Sequence, residues 1–257
     1  MNDRALVTLA IGQPCLDNWQ RLCAAGWQAY ASRHGLDLVV VTEPLVPSER
    51  PIPWQKCFVP SHPSAAKYRQ IAVLDADIAI NPEAPNIFDQ VPPERIGGVI
   101  SGSHIHDDLK LVLLSRLLKK VIPYERGLET WRADQNLAYS NYGLTPQAAG
   151  VIQTGVLVVS PQQHAGLFRA VYDAPDPETR QYEQMQLSHA ILSAGLLCPI
   201  DSRFNSVLFE TLLVHHHYLF TAAVGEPVTR AVVHGELANN FFLHFAYNQN
   251  LMRFLGD

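Results

Sequence analysis

Two carboxylates two residues apart, Asp75 and Asp77, interrupt the otherwise apolar run Ile71-Ala-Val-Leu-Asp-Ala-Asp-Ile-Ala-Ile80, and charge inside such a run needs a partner. In extended backbone both side chains project on the same side. Carboxylate oxygens so placed can hold a hard divalent cation, which would in turn neutralise a diphosphate. A turn cap or a nearby arginine is the plainer account of the same tripeptide. His244, inside Phe241-Phe-Leu-His-Phe245, poses a similar choice between a hydrogen-bonded core imidazole and a metal ligand. Glu183 and Gln184 open a stretch with helical spacing, so Glu183 fits either an exposed helix start, where an anion is favoured, or a reacting site. Lys56, in Trp54-Gln-Lys56, is either solvated or paired with phosphate or sugar.

The elements that carry these residues follow from apolar spacing. Ala5 to Ile11 is a continuous apolar and β-branched run bounded by Gly12 and Pro14, which predicts a buried first strand. From Asn18 the residues Trp19, Leu22, Cys23, Trp27 and Tyr30 recur at helical spacing, and Gly35 stands where a glycine would end the helix. Leu36 to Val41 restarts a strand. This order predicts a parallel sheet whose ligands lie beyond the carboxyl ends of its strands. A Pro-rich segment covers 44–63, and Gln70 to Ile80 reads as one further strand. Val99 and Ile100 mark another short strand, Asp107 to Ile122 a helix, and Gly150 to Val159 a strand. Ser160-Pro161 is a good N-cap and first-turn pair for a helix to about Tyr172, and a second helix is expected from Tyr182 to Ala194, stopped by Gly195.

Composition bounds the function classes. The 257 residues are 47% hydrophobic and 17% charged, and the mean hydropathy is near zero, as in a soluble globular protein with a sizeable core. A net charge of −5 without a basic run argues against nucleic acid as a partner. Cys15, Cys23, Cys57 and Cys198 lack any CxxC spacing, so reduced thiols in a cytoplasm are expected, with neither a zinc knuckle nor a disulfide framework. Ala5 to Ile11 is too brief for a signal segment, and no later run reaches transmembrane length. His215, His216 and His217 are adjacent and cannot all face one ion in a regular element, so a solvent or loop role is expected. His104 and His106, with Asp107 and Asp108, could hold a second ion but fit more simply a loop leading into a helix. That helix carries Lys110, Arg116, Lys119 and Lys120, and a packed surface or acceptor-side lid is favoured over contact with an anionic membrane.

The Ile71 to Ile80 segment resembles the strand and metal motif of GT-A-fold glycosyltransferases, especially the retaining group that contains glycogenin and the bacterial lipopolysaccharide galactosyltransferases. Four further blocks follow in that group's order. Ile152-Gln-Thr-Gly-Val-Leu157 is similar to its Asn-x-Gly-Val strand, and Tyr182-Glu-Gln-Met-Gln-Leu-Ser188 to its Asp-Gln helix start. Asp201-Ser-Arg-Phe-Asn205 is similar to its Asn-terminated loop, and Leu243-His-Phe245 stands in the place of its metal-binding His. Trp54-Gln-Lys56 resembles a Trp-x-Lys found ahead of the metal strand in related enzymes acting on plant and fungal polysaccharides.

The resemblance implies one GT-A domain over residues 1–257, with a mixed, mostly parallel sheet flanked by helices. Residues 5–100 would form the nucleotide-binding half, and 101–257 the acceptor-side half with the C-terminal metal ligand. Metal ligands would be Asp75, Asp77 and His244. Thr8, Ala10, Gly12, Lys56, Asp75, Thr154 and Gly155 would bind the donor, Glu183 and Gln184 would act at the reacting face, and Asn205 would lie on the acceptor side. A nucleotide-sugar donor, most often UDP-linked, would pass its sugar with retention to a carbohydrate, lipid-linked or protein acceptor. An oxygen set completed by one imidazole favours Mn²⁺, with Mg²⁺ the alternative. The chain departs from the group's pattern at Gln153, at Met185 and after His244, where the usual Gly and Lys are missing. Rival readings are a catalytically silent nucleotide-sugar-binding protein, a metal-dependent hydrolase, and a sugar-nucleotide pyrophosphorylase. The last needs a Gly- and Arg-rich loop that Gly12-Gln-Pro-Cys15 does not supply.

Overall fold

A computed structural model describes residues 2–47, 49–119, 137–175 and 182–256. Six strands form the main sheet: β1 (Arg4–Leu9), β2 (Asp37–Val41), β3 (Gln70–Leu74), β5 (Ile96–Ile100), β6 (Ile152–Val159) and β7 (Leu197–Pro199). Their order is β2-β1-β3-β6-β5-β7, with β6 antiparallel to its neighbours β3 and β5 and the other pairings parallel. The sheet is therefore mixed and mostly parallel.

The continuous apolar runs of β1, β3 and β6 are explained by cover on both faces. Leu6, Ala72, Leu74, Val156 and Val158 point into one core, shared with Trp27, Tyr30 and Phe242. The alternate residues Ala5, Val7, Ile71, Val73, Leu157 and Val159 point into a second core, with Trp54, Phe168 and Leu187. Helices α1 (Gln13–Leu22) and α2 (Ala24–His34) cover the first face, and α4 (Pro161–Asp173) and α5 (Gln184–Ser193) the second. Helix α3 (Asp107–Leu118) packs on α6 (Leu208–His215), and α7 (Glu226–Asn239) lies near the C-terminal end.

Three sequence expectations shift. The first strand stops at Leu9, because Pro14 suits the first turn of α1 and the helix already starts at Gln13. The predicted helix up to Gly35 is two helices divided at Cys23, while Gly35 does end the second with a left-handed φ of 61°. Gln70 to Ile80 is not one strand. It divides into β3 and β4 (Ile78–Ile80), which belong to different sheets, because the chain turns at Asp75 and Ile78 N–H donates back to the Asp75 carbonyl at 3.3 Å. Desolvating two carboxylates within a sheet buried on both faces would be costly, and the turn leaves Asp75 and Asp77 partly exposed beyond the end of β3. Lys120 and the predicted helical residues Val121 and Ile122 lie outside the described residues.

A small second sheet has the order β4-β9-β8, with β8 (Ser206–Val207) parallel and β4 antiparallel to β9 (Phe242–His244). Ile78 is paired with His244, and so is Val207. This sheet brings the turn after β3, the end of β9 and the loop before β8 to one point.

Candidate functional site

The turn at 75–77 is pinned at both ends by backbone. Asp75 N–H donates to the Gly155 carbonyl at 2.9 Å, and Phe245 N–H donates to the Asp77 carbonyl at 3.0 Å. Asp75, Asp77 and His244 thus converge, with one ligand atom from each lying within 4.8 Å of the others. His244 Nε2 is 3.3 Å from Asp77 Oδ1 and 3.8 Å from Asp75 Oδ2. Behind the ring, Asn205 Oδ1 meets His244 Nδ1 at 2.9 Å, while Asn205 Nδ2 donates to the Gln153 carbonyl at 3.0 Å. The amide is so oriented that Nδ1 carries the proton and Nε2 faces the carboxylates.

Charge explains the titration of this cluster. Burial opposes the imidazolium of His244, but Asp77 and then Asp75 outweigh it and raise its pKa. Burial likewise opposes the Asp77 carboxylate, yet His244 and a 2.9 Å hydrogen bond from Gln249 Nε2 hold it down at about 2. The set of two carboxylates and one imidazole suits a divalent cation. Gly155 shapes its wall: a Cβ there would stand 2.4 Å from His244 Cε1 and 3.2 Å from Asp75 Oδ2. No larger residue fits while His244 keeps this position.

A second network lies beside the first. The 3₁₀ segment Ile52–Ser61, within the Pro-rich stretch, inserts Trp54 to Pro60 into the core and brings Lys56 with them. Lys56 Nζ lies 2.8 Å from Asp75 Oδ1, 2.8 Å from Glu183 Oε1 and 2.9 Å from the Thr154 carbonyl. Donor phosphate or sugar is the partner expected for Lys56 from sequence; instead its three N–H donors all meet protein acceptors. Burial opposes its charge, and Asp75 and Glu183 outweigh this and raise its pKa. Glu183 also accepts from Thr154 Oγ1 at 3.1 Å. Only 3% exposed, Glu183 is an ion-paired residue rather than an exposed helix start. Gln184 Nε2 donates to the Ile152 carbonyl and to Gln153 Oε1, each at 3.3 Å.

These residues line one cleft of about 630 Å³, whose walls include Lys56, Asp75, Asp77, Gln153, Thr154, Gly155, Glu183, Gln184 and His244. From the first strand it is Leu9 that lines the cleft, followed by Pro14 and Cys15. Thr8 and Ala10 are fully buried, and Gly12 caps α1 with φ 87°. Asn205 is fully buried behind His244 rather than on the cleft wall. Sequence reasoning missed Gln249, which bonds Asp77, and the wall residues Tyr182 and Tyr247. The tyrosines have a signal only in backbone: both hold a left-handed φ, 50° and 67°.

The histidines set aside from sequence lie elsewhere. His216 Nε2 is 3.0 Å from Glu236 Oε1, and His104 Nε2 is 3.5 Å from Glu210 Oε2. Among the described residues no helix is long and apolar enough to cross a membrane.

No protein-family model matches the chain, and no curated protein matches it. Solved structures do. One is a glycosyltransferase involved in the glycosylation of the major capsid of PBCV-1, at 14% identity and a TM-score of 0.55, covering 97% of this chain and 99% of that one. A second is the galactosyltransferase LgtC in complex with donor and acceptor sugar analogs, at 12% identity and a TM-score of 0.53, covering 98% and 94%. A third is the glycosyltransferase GlyE of Streptococcus pneumoniae TIGR4, at 12% identity and a TM-score of 0.51, covering 94% and 55%. The chain has the GT-A fold of these glycosyltransferases, as its sequence blocks imply.

Proposed function

We propose that this protein is a metal-dependent glycosyltransferase that moves a sugar from a nucleotide diphosphate sugar, a UDP-sugar, to a carbohydrate, lipid-linked or protein acceptor with retention in the cytoplasm. The observation that carries the reading is the meeting of Asp75, Asp77 and His244 from two distant segments at one point in the cleft of this fold.

Asp75, Asp77 and His244 would hold Mn²⁺, or alternatively Mg²⁺, and the cradle that a Cβ on Gly155 would fill fits that assignment. The bound ion supplies Lewis-acid stabilisation to a departing nucleoside diphosphate. Asn205 fixes the His244 ring, and Lys56 holds the Asp75 and Glu183 side chains in place. Thr154, Gly155 and the β1–α1 residues Thr8, Ala10 and Gly12 are assigned to the donor side. Glu183 presents a fixed negative charge next to Gln184 at the sugar's reacting face. An amide is too weak a base to take a proton from an acceptor hydroxyl. With the Gln184 N–H groups engaged, its carbonyl oxygen is the atom left to stabilise developing positive charge. The halves 5–100 and 101–257 then correspond to donor and acceptor sides.

Thermal shift with a panel of nucleotide sugars, with and without Mn²⁺, tests the reading, followed by donor hydrolysis in the wild type and Asp77→Ala. The expected result is stabilisation that requires both ligands, and hydrolysis lost in the variant. Indifference to every donor and to Mn²⁺ sinks the proposal. Tight donor binding without consumption, whatever the acceptor, selects the silent binding protein, a reading suggested by the segment after His244, which lacks the Gly and Lys that follow this His in the related enzymes.

A further inference from the structure

An aromatic strip leaves the cleft beside the metal-ligand triad. Tyr247, on the cleft wall and 77% exposed, packs against Phe209 at 5.7 Å between ring centres. Phe209 meets Phe220 at 6.1 Å, and Phe220 is 45% exposed. Beyond Phe220 lies the His217 ring, at 6.2 Å. The strip therefore runs from the cleft across the start of α6 to the short helix Tyr218–Thr221. Leaving such rings in water costs hydrophobic free energy, and at Tyr247 a left-handed φ of 67° adds backbone strain that a non-glycine residue adopts only when surroundings enforce it. Strain and exposure at the same residue, on the wall of a cleft, point to a ligand.

We propose that this strip is a subsite for an extended saccharide acceptor, whose successive rings stack on Tyr247, Phe209 and Phe220 as the chain leaves the cleft. This deepens the glycosyltransferase reading and rests on it. The C–H face of a pyranose is apolar and slightly positive, and so matches the negative face of an aromatic ring. Continuity with the cleft fixes the direction, because the end of the chain at Tyr247 lies beside the triad. An anionic lipid surface fits less well. Arg116 of α3 donates to the carbonyls of Leu213 and Val214, and so serves the end of α6.

The test is calorimetric titration with two defined series, maltose against maltohexaose and cellobiose against cellohexaose. At least one hexasaccharide binds about tenfold tighter than its disaccharide. Phe220→Ala removes that advantage and Phe220→Tyr keeps it. Tyr247→Gly, which accepts φ 67° at no steric cost, folds but weakens both lengths. Absence of length dependence in both series overturns the proposal, as does an advantage that survives Phe220→Ala. Phe220-dependent sedimentation with phosphatidylglycerol vesicles also overturns it and makes the strip a lipid contact. Mn²⁺-dependent binding of UDP-sugars is titrated in the same samples. Saccharide binding without donor binding overturns the transferase reading alone, and donor binding without length-dependent saccharide binding overturns the subsite alone.

Discussion

An imidazole presents its Nε2 lone pair to a cation only when the other nitrogen carries the proton, and Asn205 Oδ1 at 2.9 Å from Nδ1 enforces that tautomer. Removing such a partner costs metal affinity without touching a ligand. Asn205→Ala is expected to weaken Mn²⁺ binding about 10- to 100-fold, read by electron paramagnetic resonance titration, and an unchanged affinity would show that the ring needs no such support. Lys56 makes a different demand. It pairs with the buried Glu183 and with Asp75 on the cleft wall, and Lys56→Met leaves Glu183 buried without its cation. Breaking a buried pair in this way costs about 3–5 kcal/mol, so the urea midpoint should fall sharply and Lys56→Met combined with Glu183→Gln should recover part of it. A double variant no more stable than the single one would rule out unpaired charge as the cause. The metal candidates were legible in sequence because Asp75, Asp77 and His244 stand in order among the blocks that resemble the glycosyltransferase group, although each alone is a weak signal. The duties of Asn205 and Lys56 were not, since each depends on what a remote element places within 3 Å.

Both residues anchor at a local fault in strand β6, Lys56 within it and Asn205 at its edge. Against β5 the register jumps between Gly98, opposite Leu157, and Val99, opposite Gln153, so Thr154, Gly155 and Val156 have no partner on that side. A bulge of this kind leaves backbone groups unpaired, and here the Thr154 carbonyl inside it accepts from Lys56, while the Gln153 carbonyl at its edge accepts from Asn205. Gly155 sits at its centre against His244, and Gly155→Ala would put a methyl group 2.4 Å from Cε1. The expected outcome is about 1–3 kcal/mol of strain, together with loss of Mn²⁺ binding as His244 is driven off its position. Retained binding would mean that the ring has room to move. Apolar periodicity identified β1, β3, β6 and the Gly35 helix end, because each spans several residues and faces two cores. It could not identify the second sheet. Strands of two or three residues such as β8 and β9 fall below any period, and the turn at Asp75 was hidden inside an apolar run that reads as one strand.

At the scale of the whole molecule, the order of short sequence blocks along the chain carried the fold, since each block fills one station around a shared sheet. What the blocks omit is the packing of α6 under the turn that follows β5. There Glu210 and His104 face each other at 3.5 Å in the interior. Burial pushes Glu210 from 4.5 up to about 7, with only weak opposition from His244. Burial, then His215 and Lys110, push His104 from 6.5 down to about 4. The signs are opposite. Glu210 stays protonated in the folded state while the unfolded chain ionises, so its contribution is complete below 4.5 and is lost as pH rises through about 7. His104 stays neutral while the unfolded chain takes a proton, so its contribution is complete above 6.5 and is lost as pH falls through about 4. Glu210→Gln cancels the first loss and leaves the second. With roughly 1.4 kcal/mol per unit, the variant should gain about 2 kcal/mol on the wild type between about pH 5 and about pH 8, read from urea midpoints at the two pH values. A wild-type and variant difference that does not change with pH would mean that burial does not raise the Glu210 carboxyl in the folded protein.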